Sequence, residues 1–68
     1  MIKRRKRRVI IHVTNVNKEW YVEVEWPFKV RGVVASNVIA TYKRQLHASN
    51  LADRLEGELQ DAEIVIHD

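Results

Sequence analysis

Regular patterning begins at Val9, where apolar and polar side chains start to alternate: Val9, Ile11 and Val13 fall on one side, Ile10, His12 and Thr14 on the other. A period of two is that of a β-strand. Asn15, Val16, Asn17 and Lys18 interrupt it with residues that tolerate left-handed backbone and bond to their own turn, which predicts a hairpin loop. Alternation resumes over Glu19 to Trp26, with Trp20, Val22, Val24 and Trp26 facing one way and Glu19, Tyr21, Glu23 and Glu25 the other. Such a strand has one buried face and one wet face. Pro27 has no N–H to give a ladder, so the strand is expected to end at Trp26.

Residues 28 to 35 admit two readings: a short third strand around a bend at Gly32, built on Phe28, Val30, Val33 and Val34, or an extended crossover. From Ser36 or Asn37, both competent N-caps, the pattern turns helical. At 100° per residue, Val38, Ile39, Tyr42 and Leu46 form one stripe, while Ala48, Leu51, Ala52, Leu55 and Leu59 form another on roughly the opposite side. One straight helix cannot bury both against one sheet. The helix can break near Ser49-Asn50, with Asn50 capping a second segment, or run for about 24 residues and about 36 Å with a stripe left for another subunit. A third resolution makes Val33 to Ala40 strand and starts the helix at Thr41. Gly57 marks fraying of the helix end. Ala62 to His67 is a last strand, with Ile64 and Ile66 inward and Glu63, Val65 and His67 outward.

These elements predict a small α+β fold: a single-layer sheet in the order ββαβ, or βββαβ if the middle run pairs, with one long or kinked helix packed on one face. The final strand is expected beside Val9 to Thr14, reached by a crossover. The expected core is Val9, Ile11, Val13, Trp20, Val22, Val24, Trp26, Ile64 and Ile66 against Leu51, Leu55 and Leu59. Residues 1–8 read as a basic flexible arm and residues 9–68 as a single domain.

Composition narrows the class. Sixty-eight residues hold one domain, and 46% hydrophobic residues with two Gly and one Pro argue for a folded chain. The absence of Cys removes disulfides and thiolate metal sites. So small a core without a staple predicts a homodimer, joined through the open sheet face, a sheet edge or a spare helical stripe. No apolar run approaches the roughly 20 residues of a membrane span, and charges follow Met1-Ile2 where a signal peptide has its apolar core; a cytoplasmic protein with no membrane association is expected.

Charge then changes the picture. Lys3, Arg4, Arg5, Lys6, Arg7 and Arg8 are six of the twelve Lys and Arg, which leaves six cations against nine carboxylates in residues 9–68. The body is mildly acidic, and any binding to a polyanion is led by the tail. Such a run can lie along phosphates, releasing counterions without reading bases. It can also serve as an address tag or as a gatekeeper before an aggregation-prone strand. Six cations in six positions exceed what gatekeeping requires. Lys43 and Arg44 are secondary phosphate-contact candidates.

Other chemistry is weaker. His12, His67, Glu23 and Glu25 share the outer face in this register, but outward His and Glu on neighbouring strands are ordinary polar pairs, and no ligand spacing is reproduced; neither metal nor cofactor is expected. His47 is expected to be exposed on the helix. Trp20 and Trp26 share the inward phase of Val22 and Val24 and read as core, while Trp26-Pro27-Phe28 suits a binding anchor at the domain rim. No nucleophile motif, Gly-rich phosphate loop or Ser/His pairing supports catalysis. The leading expectation is a small non-enzymatic nucleic-acid-binding protein that uses Lys3 to Arg8. The alternative is a protein-binding module or inhibitor, of the kind short phage or plasmid genes often encode, which docks Tyr21, Glu23, Glu25, Trp26 and Phe28 on a basic surface of a larger partner.

Overall fold

A computed structural model describes residues 8–59 and 61–67 of the chain. Strand β1, Val9–Val16, and strand β2, Glu19–Val30, form an antiparallel hairpin in which Ile11 lies opposite Val24 and Val13 opposite Val22. Val16 and Glu19 close it over Asn17 and Lys18, whose φ values of 51° and 65° are both left-handed. A two-residue loop of this hand matches the right-handed twist of the strands it joins, and the expected hairpin is therefore present.

Beyond the hairpin the sequence expectation needs three corrections. Strand β2 does not stop at Trp26 but runs through Pro27 to Val30. Between Glu25 opposite Ser36 and Lys29 opposite Val34, it spends four steps where its neighbour spends two. Trp26, Pro27 and Phe28 thus form a bulge, and the missing Pro27 N–H falls where the ladder is already interrupted.

The second correction concerns residues 33–42, which form strand β3, Val33–Tyr42, in place of a helix beginning at Ser36 or Asn37; of the resolutions open in the sequence the third holds for the strand, with the helix starting at Gln45 and not at Thr41. It pairs antiparallel to β2, joined by a left-handed pair at Arg31 and Gly32 with φ 52° and 80°. The order is accordingly βββαβ and not ββαβ. Val38, Ile39 and Tyr42 belong to a strand, so of the first apparent helical stripe only Leu46 is on the helix.

The third correction is the helix itself. Helix α1, Gln45–Glu58, is one unbroken element of 14 residues, neither long nor divided at Ser49-Asn50. At 1.5 Å per residue it is about 21 Å long, a match for the eight-residue β1 it crosses. Its N-cap position is taken by Arg44 in extended backbone, and Gly57 lies within its last turn. The buried stripe is the second one: Ala48 and Ala52 are fully buried, with Leu51, Leu55 and Leu59 packed alongside. Two alanines at the closest approach let the helix lie near the sheet, while the leucines reach down on either side.

Strand β4, Ala62–His67, returns parallel to β1, with Ile11 opposite Ile64. One four-stranded mixed sheet results, in the order β3-β2-β1-β4. Ile11, Val13, Val22 and Val24 are its wholly buried side chains. Each contributes about 1.5–3 kcal/mol by leaving water. Val9, Trp20, Trp26, Ala62 and Ile64 complete the core at its margin. Ile66, expected inward, shares the face of its partner Val13 but remains 49% exposed near the end of an edge strand, where the helix does not cover it. No helix among the described residues is long and apolar enough to cross a membrane.

Candidate functional site

Register places the sequence-derived candidates in three separate regions. The first is the face of the sheet opposite α1. Across it Thr14 stands beside Tyr21 and His67, His12 beside Glu23 and Val65, and Ile10 beside Glu25 and Glu63. On β3 the same face carries Ser36 and Val38, opposite Glu25 and Glu23, and Thr41 opposite Tyr21. Glu23, Glu25 and Glu63 make the middle of this face acidic around His12 and His67, while Lys29, opposite Val34, brings a cation to its end.

Two of those histidines are joined. His12 Nδ1 lies 2.9 Å from His67 Nε2, and His12 Nε2 lies 3.0 Å from Glu25 Oε1. The two rings stack with centroids 5.1 Å apart and planes at 23°. With Glu25 ionised, His12 donates from Nε2, which leaves its neutral ring to accept at Nδ1 from the His67 Nε2–H. His12, His67 and Glu25 of the imagined metal cluster are thus brought together, but as a line of hydrogen bonds. Glu23 is not part of it. Among the described residues no three His, Asp or Glu side chains are grouped to hold a metal ion.

The second region lies where β1 begins. Arg8, Ile10, Glu25, Trp26, Pro27, Phe28, Lys29 and Val34 line a shallow depression of about 350 Å³. The β2 bulge shapes it, because the extra residues swing Phe28 out of the strand's alternation. Trp26 packs against the core and Phe28 stacks beside it, with centroids 6.4 Å apart and planes at 27°. Phe28 is 52% exposed. An aromatic surface with Arg8 on one side and Lys29 on the other therefore stands at the point where residues 1–7 join the fold. Lys3, Arg4, Arg5, Lys6 and Arg7, with the flexibility expected of the arm, lie outside the described residues.

Lys43 and Arg44 form the third region. They follow Tyr42, which sits in the row of Trp20 and Asn15, five residues along β1 from Ile10. That is about 17 Å along the sheet from the Arg8 end, so the structure does not bring these cations to the arm's base. Both are exposed beside the first turn of α1, which contains no acidic residue. The positive end of the helix adds to their field. His47 is exposed, as expected, and meets Tyr42 edge-on at 6.1 Å above a depression of about 240 Å³ lined also by Asn50, Leu51 and Arg54.

Sequence reasoning placed an anchor at Trp26-Pro27-Phe28 and a phosphate contact at Arg8 but did not join them, because it ended the strand at Trp26. The signal for the depression was Pro27 between two aromatics: a proline inside a run that keeps strand composition on both sides marks a bulge as readily as an end. Comparisons with protein-family models, curated proteins and solved structures find no match to this chain.

Proposed function

We propose that this is a small non-enzymatic nucleic-acid-binding protein whose arm, Lys3 to Arg8, holds phosphates without reading sequence. The observation that carries the reading is the run of six consecutive cations on a body with more carboxylates than cations. Support comes from Arg8, the described member of the run, which lies with Lys29 beside the exposed Phe28 ring. A phosphate held by Arg8 leaves a neighbouring unpaired base within reach of that ring, and base–aromatic stacking adds about 1–3 kcal/mol per base. The acidic outer face repels a phosphate backbone, so the strand follows the rim of the sheet. Lys43 and Arg44 serve a longer ligand as a second phosphate contact at the far end.

The test is a salt titration. Log K against log salt should fall with a slope of about −5, from roughly 0.9 per phosphate neutralised. Replacing Lys3, Arg4, Arg5, Lys6, Arg7 and Arg8 with Gln should abolish binding and leave the melting temperature nearly unchanged. Equal binding by the Gln variant, or none by the natural chain at micromolar protein and low salt, overturns the reading.

One observation favours the alternative. A sheet face bearing Tyr21, Glu23 and Glu25, with Lys29 confined to its end, is complementary to a basic protein surface. In that case the Gln variant keeps its partner and Glu23→Lys loses it.

A further inference from the structure

Strand β3 is an edge of the sheet, and edges of folded proteins are ordinarily guarded by charge, proline or short length. This edge has none of these: its ten residues, Val33 to Tyr42, include no Lys, Arg, Asp, Glu or Pro. Its apolar side chains stand in water, with Val33 68%, Val34 44%, Val38 55% and Ile39 47% exposed. The other edge, β4, has six residues and carries Glu63 and His67.

We propose that β3 pairs antiparallel with β3 of a second copy, about a twofold axis through Ser36, to make one continuous eight-stranded sheet. A twofold perpendicular to a sheet sets one residue of the strand opposite itself, because directly opposed residues must share a face. Centred on Ser36, the pairing sets Val34 against Val38 of the copy twice over and Val33 against Ile39. Centred on Ala35 or Asn37, it sets valines against Ser36 and Asn37 instead. Regular pairing with β2 ends at Ile39, the extra residue between Val38 opposite Glu23 and Ala40 opposite Val22. Ser36 is also the midpoint of Val34 to Val38, over which β3 itself has no extra residue, since the bulge at Trp26 to Phe28 lies in β2.

Charge permits the same register. Ser36 continues the row Glu63, Ile10, Glu25, so Glu25 and its copy are three strand spacings, about 14 Å, apart. No like charges meet at the seam. A foreign strand gains no selectivity from an uncharged edge, whereas the chain's own copy satisfies its backbone groups and covers all four apolar side chains. A single pair of strands is a small contact beside a standard interface of about 1,600 Å², so the equilibrium is followed up to hundreds of micromolar protein.

The chain lacks cysteine, so one introduced thiol reports the axis directly. Opposed residues of an antiparallel pair have Cα atoms about 4.5–5.5 Å apart, within disulfide range. Under mild oxidation without nucleic acid, Ser36→Cys should form covalent dimer at least about tenfold faster than Asn50→Cys on the helix surface, because pairing raises the local thiol concentration. Sedimentation of the natural chain should show a monomer–dimer equilibrium, and Val34→Lys with Val38→Lys should shift it to monomer with the circular dichroism spectrum retained. If that double variant loses its fold, Val38→Lys alone is the comparison. Equal cross-linking at both sites, a monomer at hundreds of micromolar, or an open-ended polymer overturns the proposal. The outcome is independent of the arm, since no nucleic acid is present.

Discussion

Two hairpins share β2 and close over the same kind of loop, yet they do different work. In β1–β2, each residue opposes one partner from Ile10 to Val16, and Ile11, Val13, Val22 and Val24 gather on one face under α1. In β2–β3 the register shifts twice, and apolar side chains of β3 stand exposed on both faces. Unbroken alternation signals a strand with a core on one side and water on the other. A bulged hairpin at a sheet edge has aims besides burial: here it builds the Phe28 depression and leaves a strand free to pair.

The contrast is broken most severely in the core. Ile11→Ala should cost about 2–5 kcal/mol in urea unfolding, enough to leave so small a domain largely unfolded. Val34→Ala, at low concentration where the chain is monomeric, should stay within about 0.5 kcal/mol. Similar losses at both sites would mean that the second hairpin is as buried as the first.

The turns give a smaller contrast. Gly32 has φ 80° with open space around its Cα, so Gly32→Ala meets no clash and reports backbone conformation alone. A loss of about 1–2 kcal/mol is expected. Lys18 holds φ 65° with a side chain, and Lys18→Gly creates the Asn-Gly pair this turn favours. It should gain about 0.5–1 kcal/mol in midpoint at unchanged slope. A loss at Lys18→Gly would show that the Lys side chain makes a contact that outweighs its backbone cost.

Much of the first hairpin was legible in the residues alone. Trp20, Val22 and Val24 against Glu19, Tyr21, Glu23 and Glu25 define a half-buried strand, and Asn15 to Lys18 mark where it turns, although only Asn17 and Lys18 form the loop, because period and turn chemistry are local properties. The Leu51, Leu55 and Leu59 stripe and the final strand were local in the same sense. The six-cation run needed no structure to be seen. What the chain alone left undecided was Val33 to Tyr42, whose apolar spacing fits a helical stripe as well as an edge strand. Its state depends on β2 offering a free edge from Trp20 to Val30, and the Trp26 to Phe28 bulge exists only through that pairing. The line from Glu25 through His12 to His67 depends on parallel pairing of strands from opposite ends of the chain. Contacts of that separation are chosen by the whole sheet, since no local preference of either segment favours them.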